Sequence, residues 1–336
     1  MKPRKLFGFI LLSLLAIVLA ACAGPAGEQG LPGPAGPPGP EGPQGPPGEA
    51  ATADELACTA CHNETDIITG KVVAWEDSNH GMNESFARGT SPSCAGCHSG
   101  SAFSEMVAAG LHPGSVESGD PDPTRQDCRA CHQIHESFTA EDWALETTDP
   151  VELYAFEGST YDGGKGNLCA VCHQARRGID EAVDGQIEIT STHWGPHHGP
   201  QSAMLLGLAG AGAEGSPSAH YQMIEDTCVS CHLSDHSFEA SLDSCQECHS
   251  GAESFDINGL QTEVQAQLDE LEEALIAQGL LDEEGHPAVE TVPAEEAEAL
   301  WNWIYIAHED KSLGVHNPAY TTALLEASLE ALGLGE

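Results

Sequence analysis

The chain has 336 residues, with 53 acidic against 11 basic side chains and a formal charge of −42. Such a field repels nucleic acid and anionic lipid, which argues against both as partners, and favours basic proteins, cations or positively charged mineral surfaces. Aromatic residues make up only 5%, little for the core of so long a chain, and there are 13 cysteines.

Residues 1–21 begin with Lys2, Arg4 and Lys5 and continue as an apolar run from Leu6 to Ala21. This order reads as a secretory signal peptide. The run is also about long enough to span a bilayer, so a membrane helix is the competing reading. It ends in Leu19-Ala20-Ala21-Cys22, which resembles a bacterial lipobox. The resemblance implies that Cys22 is lipidated and becomes the first residue of the mature chain, anchored stably by two or more acyl chains. Residues 22–50 carry the cysteine and then Gly-x-y triplets, with glycine at 24, 27, 30, 33, 36, 39, 42, 45 and 48. Glycine at every third position with abundant proline suits polyproline II and, in three chains, the collagen helix. The run resembles bacterial collagen-like stalks, which implies an extended spacer and a homotrimer. A monomeric Pro/Gly spacer is the alternative.

Residues 51–256 repeat one unit six times: Cys, two residues, Cys, His. The copies are Cys58/Cys61/His62, Cys94/Cys97/His98, Cys128/Cys131/His132, Cys169/Cys172/His173, Cys228/Cys231/His232 and Cys245/Cys248/His249. A single copy fits a zinc knuckle or a redox dithiol. Six copies that use every cysteine after residue 50, each followed directly by histidine, do not. C-x-x-C-H is the attachment signature of c-type haem. The two cysteines form thioethers and the histidine becomes the first axial iron ligand. Six covalent haems would also replace much of the missing aromatic packing. The last two motifs lie within Cys228–His249 and set the closest pair in sequence.

Each iron needs a second ligand, and eleven histidines lie outside the motifs. His135 and His236 follow a motif histidine by three and four residues, in CHQIH and CHLSDH, near a neighbouring haem. His80 and His220 precede the second and fifth motifs on segments leading into them. His193, His197 and His198 cluster in THWGPHHGPQ, where His197 or His198 is the preferred ligand. His112 is left open, and His286 and His308 read as solvated side chains.

The segments between motifs, 99–127 and 174–192, are rich in Gly, Ser, Asp and Pro and read as loops with short helices. No sustained alternation indicates a sheet. The fold class is therefore mainly α with extensive loops, packed around haems. Residues 257–336 differ. Leu260, Val264, Leu268, Leu271 and Leu275 fall on one helical stripe, with Gly279 placed to end the helix. Pro293 opens a second helix, AEEAEALWNWIYIAHED, and Pro318 a third that closes at Gly333. These helices read as a cover over the haem domain.

Between them, KSLGVHNPAY places His316 ahead of Asn317 and Pro318. With GKGNLCAVCHQARR (164–177), PHHGPQSAMLLG (196–207), GVHNPAY (314–320) and the six motifs, the chain resembles multihaem cytochromes related to the pentahaem nitrite reductases and hydroxylamine-oxidoreductase-like proteins. The resemblance implies that His316 returns to ligate an early haem and that the long C-terminal helices mediate subunit contact. One feature departs from the nitrite reductases. They carry C-x-x-C-K at the catalytic haem, and here all six motifs end in histidine.

Two functions follow as expectations. The first is electron transfer: an exported, lipid-anchored hexahaem cytochrome passing electrons to or from a redox protein or an extracellular acceptor. The alternative is a multihaem reductase acting on a small nitrogen or sulfur oxyanion at one haem with an open distal side. The surplus of histidines favours the first. Arg176 and Arg177, placed to steer an anion, are what the second would use.

Overall fold

The structure, a computed structural model, describes residues 66–233 and 236–335. The leading segment, Cys22, the triplet run and the first motif (Cys58, Cys61 and His62) lie outside the described residues. Residues from Ala51 onward form one compact unit.

The described chain starts with helix α1 (Asp66–Glu76) and the short α2 (Asn79–Met82), then a 3-10 turn over Glu84–Thr90. Helix α3 (Pro92–His98) carries the second motif and α4 (Gly100–Ala108) follows it. The third motif begins on α5 (Cys128–Cys131) and the fourth on α6 (Asn167–Cys172). Helices α7 (Gln201–Leu206) and α8 (Ala219–Met223) lead to α9 (Cys228–His232) with the fifth motif, and α10 (Leu242–Gln246) starts the sixth. Each of the five described motifs thus starts on, or ends, one short helical turn. Residues three and four apart share a helix face, so the turn brings two cysteines and a histidine to one side.

Strand structure is limited to two antiparallel pairs among the described residues. Strand β1 (Val151–Glu152) pairs with β2 (Thr160–Tyr161). Strand β3 (Gln186–Glu188) pairs with β4 (Thr291–Pro293), with Ile187 opposite Val292. The second pair ties the loop after the fourth motif to the C-terminal helices.

Three helices build the larger hydrophobic core: α11 (Leu260–Ala277), α12 (Ala294–Trp303) and α13 (Pro318–Ala331). Val264, Leu268, Leu271 and Leu275 of the predicted stripe are buried, while Leu260 is only partly so. At roughly 1.5–3 kcal/mol for each fully buried aliphatic side chain, this stripe outweighs the modest propensity of so acidic a helix. Gly279, with φ +73°, follows the helix end as expected. Across the core, Asn302 clamps a loop, accepting from Ala211 N and donating to Ala211 O, both at 2.9 Å. Trp301 donates to Ala209 O at 2.6 Å and meets Trp194 edge to face at 4.9 Å. The C-terminal helices therefore form a core of their own and fasten segments 185–213 to it.

The second helix departs from the sequence expectation. After Trp303 the backbone widens into a π-turn over Ile304–Asp310, with Lys311 N donating to Ile306 O at 3.1 Å. The extra residue per turn shifts the facing of Glu309 and Asp310, both buried; such turns recur at functional sites. Among the described residues no helix is long and apolar enough to cross a membrane.

Asp256 closes the start of α11. Its carboxylate accepts from Thr262 Oγ1 at 2.6 Å, Gln261 N at 2.8 Å and Thr262 N at 3.3 Å. The Thr262 hydroxyl, followed by the backbone amides, holds the Asp256 carboxyl below the usual value. A depressed folded-state value gives stability that is present above the unfolded carboxylate value of about 3.9 and is lost as pH falls through the folded value. Thermal melts between pH 6 and pH 3 should therefore show a shallower acid-side loss for Asp256→Asn than for the parent chain.

Candidate functional site

The described motif histidines each face a second histidine ring. His98 lies 6.2 Å from His197 between ring centroids. His132 lies 6.4 Å from His236. His173 lies 6.2 Å from His80. His232 lies 6.3 Å from His316, and His249 lies 6.3 Å from His220. Five pairs from scattered parts of the chain share one spacing. A metal–imidazole bond is about 2.0–2.1 Å, and the ring centre lies about 1.1 Å beyond the nitrogen. Two imidazoles on opposite sides of one metal therefore have centroids about 6.3 Å apart.

Several of these rings are held from behind through Nδ1. His132 Nδ1 contacts Trp143 O at 2.8 Å. His173 Nδ1 contacts Gln201 Oε1 at 3.0 Å. His220 Nδ1 contacts Val315 O at 2.7 Å, and His316 Nδ1 contacts Asp310 Oδ1 at 2.7 Å. His236 Nδ1 stands 3.0 Å from Lys71 Nζ. Where Nδ1–H donates to an oxygen, as at His132, His173, His220 and His316, Nε2 is the nitrogen left for a metal, and the anchor fixes the ring's orientation.

Burial keeps many of these rings neutral, as ligation requires. His80 is lowered to about 4 by burial and then by His173. His197 is lowered to about 4 by burial and then by Arg176. His98 and His232 are also pulled down, mainly by burial. His316 goes the other way: burial opposes protonation, but the charge and hydrogen bond of Asp310 outweigh it.

Among the described residues no three His, Cys, Asp or Glu side chains converge on a metal position. A zinc site takes three or four protein donors. Paired imidazoles without a third donor suit a metal that brings its own equatorial ligands, as haem does. The cysteines fit the same group. All ten described are free thiols, two on each motif turn. Apolar side chains beside the rings fit it too: Met82, Phe138, Trp143 and Met223 stay exposed next to candidate histidines, Met223 at 79%. A flat apolar macrocycle would cover such surfaces.

Two attachment positions differ from the rest. A cysteine that binds a packed haem is expected to sit against protein, and Cys94, Cys97, Cys131, Cys169, Cys172, Cys228, Cys231 and Cys245 are all partly buried. Cys128 and Cys248 are exposed instead. For Cys128 the cause is its place as the first residue of α5, at a helix end. For Cys248 it is the early end of α10 at Gln246. Cys248 falls in the turn beyond, where its N donates to Cys245 O at 3.2 Å, and residues 246–250 are exposed throughout. Cys248 therefore lies on an open surface turn.

The motifs also touch one another. Cys172 Sγ lies 4.0 Å from Gly96 O of the second motif. Cys228 Sγ of the fifth lies 4.0 Å from Gly166 O, just ahead of the fourth. The fourth motif therefore lies between the second and the fifth. The close approach depends on Gly166, where a β-carbon would overlap Thr227 Oγ1. Thr227 Oγ1 donates to Gly163 O at 3.0 Å and accepts from the buried Tyr161 hydroxyl at 2.9 Å.

The remaining histidines divide. His198, the neighbour of His197, pairs with Glu309 at 2.7 Å and is raised by that contact. His112 accepts from Gly114 N at 3.2 Å and stacks on Tyr154. His308 packs on Trp303. His135 stacks on Phe138 at 5.3 Å. His193 and His286 lie 6.1 Å apart, but neither follows a cysteine pair. One implication of the resemblance changes: His316 faces the fifth motif, not an early one. Sequence reasoning found the rings but missed the partners of each motif and all of the Nδ1 anchors.

No protein-family model and no curated protein matches the chain. Among solved structures, the chain is similar to the crystal structure of the outer cell wall cytochrome OcwA, with a TM-score of 0.50 and 20% identity. The match covers 78% of this chain and 50% of that one, so the chain spans about half the length of the cytochrome it matches. The likeness is one of fold: the loop-rich helical frame described above resembles the frame of that structure.

The contact behind the fifth motif gives a direct check. Tyr161→Phe removes one donor to Thr227 Oγ1 in a buried setting. It should lower stability by about 1–3 kcal/mol, measured by denaturant unfolding, with the helical far-ultraviolet signal of the folded state unchanged.

Proposed function

We propose that the chain is an exported multihaem c-type cytochrome that carries six covalent haems and transfers electrons between an extracytoplasmic donor and acceptor. The observation that carries this reading is the common spacing of five motif histidines and five second histidines, with no third protein donor between them. The ligand sets are then His98 with His197, His132 with His236, His173 with His80, His232 with His316 and His249 with His220. His62 and His135 remain for the sixth. Bound haem supplies one-electron chemistry through its iron. The protein's part is to fill both axial positions, which denies a substrate access, and to keep the motifs close. The close approaches of Cys172 to Gly96 and of Cys228 to Gly166 make the fourth motif a junction between the second and the fifth. Lipidation at Cys22 and the triplet stalk would hold the unit away from a membrane surface, facing a redox protein or an extracellular acceptor.

One observation favours a second reading, reduction of a small oxyanion. The chain after its leading segment has eight basic side chains, and four gather around residues 195–198. Arg88 and Arg176 both depress His98 and His197. Lys311 acts on His198, and Arg177 donates to Gly195 O at 3.1 Å. In a strongly acidic protein this is a local refuge for an anion. His197 also holds a left-handed backbone with φ +81°, a conformation that non-glycine residues adopt at a cost. A ligand so placed could leave the second-motif iron open.

Spin state separates the two. The holoprotein should be wholly low-spin, and cyanide, carbon monoxide and nitrite should leave its spectrum unchanged. His80→Ala and His316→Ala should each convert one haem to a high-spin form that binds carbon monoxide, with the pyridine haemochrome count still at six. A high-spin haem in the unmodified protein that binds nitrite would transfer the assignment to the reductase.

A further inference from the structure

Among the described residues, a carboxylate stands behind one ring of the five pairs. His132 and His220 point Nδ1 at neutral backbone carbonyls, and His173 points at an amide oxygen. His236 has the amine of Lys71. His316 has Asp310, whose side chain is 0% exposed. The arrangement around that carboxylate is built. Asp310 Oδ1 accepts from His316 Nδ1 at 2.7 Å. Asp310 Oδ2 accepts from the Ser312 hydroxyl and, at 3.2 Å, from Ser312 N. The Ser312 hydroxyl oxygen accepts in turn from His316 N at 3.2 Å. The turn between them uses left-handed backbone at Lys311, Leu313 and Gly314. The π-turn ending at Asp310 sets the carboxylate at this depth.

We propose that Asp310 is a positioning residue that lowers the reduction potential of the haem at the fifth motif by drawing on the Nδ1–H of His316. The inference rests on the reading of His316 as an axial ligand. An anionic acceptor makes an imidazole a stronger donor. The ferric state carries one more positive charge than the ferrous state and gains more from such a ligand. Hydrogen bonding and burial around an axial ligand are recognised levers on haem potential, and a buried charge is poorly screened. Asp310 thus biases the fifth-motif haem toward the oxidised state. Lys71, next to His236, puts the opposite charge behind the third-motif haem.

The test uses the full-length holoprotein with Asp310→Asn, Asp310→Glu and Ser312→Ala, titrated through its redox range and followed by visible absorption and electron paramagnetic resonance. Asp310→Asn should shift the ferric/ferrous equilibrium of one low-spin haem about tenfold toward ferrous, about 59 mV for one electron, with the other steps in place. Asp310→Glu should return that haem toward its original value. Ser312→Ala takes one donor from the same carboxylate and should move the same haem the opposite way. A six-haem, low-spin Asp310→Asn protein whose titration superimposes on the parent overturns the proposal. So does an equal shift in Asp310→Asn and Asp310→Glu. Should Asp310→Asn not assemble, an unchanged Ser312→Ala titration overturns it. Failure of the underlying reading shows separately, as absence of covalent haem or as a His316→Ala protein with every haem still low-spin.

Discussion

Two imidazole rings that face each other across a gap of about 6 Å do not hold themselves there. Each must be fixed by its own backbone and by a hydrogen bond on the far nitrogen. Much of this structure meets that requirement. Gln201 shows how the anchors are shared. Its oxygen meets His173 Nδ1, and its amide donates to the carbonyls of Glu309 and Asp310, both at 3.3 Å. Asp310 then holds His316, and Glu309 holds His198 beside His197. One π-turn therefore stands behind His173 of the fourth motif and behind His316, which faces the fifth, and next to His197, which faces the second. The C-terminal helices, with the larger hydrophobic core, are the rigid body that makes the turn a fixed point.

The fold was legible where its cause is local. The motif turns follow from spacing, and the stripe from Leu260 to Leu275 follows from period and burial. Pro318 and Gly333 bracket the last helix as expected, with Asn317 capping it by accepting from Tyr320 N at 3.3 Å. The π-turn was not legible, because nothing in IYIAHED separates it from a continuing α-helix. The small sheets were missed for a different reason. Two- and three-residue strands are too short to show alternation, and β3 and β4 meet across a long separation in sequence.

The site was legible by residue type but not by partnership. CxxCH marks a first ligand without aid from tertiary structure. It does not say how deeply each cysteine sits, which is why the open turn at Cys248 could not be told from its buried counterparts. The second ligand carries no local signature, since any histidine brought opposite by the fold will serve. His80 and His173 meet from α2 and the end of α6; His132 and His236 meet from the third motif and the segment after the fifth. The choice left open between His197 and His198 turns on one residue of backbone. A left-handed conformation at His197 directs its ring toward His98 and leaves its neighbour to Glu309. Asp310 could not have been singled out from 53 acidic residues. Its role depends on burial, and burial there depends on the π-turn.

The direction in which the pairs run along the chain bears on assembly. Under the proposed ligation, His80 precedes His173 and His220 precedes His249. Those two shells have both histidines available as soon as their own motif has been made. The second, third and fifth motifs must wait for His197, His236 and His316, each made later than the motif it completes. The fifth is completed last, because His316 lies beyond α11 and α12. A chain interrupted before that loop would hold an incompletely ligated iron next to the junction at the fourth motif. Closing the fifth-motif shell with a histidine that follows all six motifs ties its completion to the folding of the C-terminal helices.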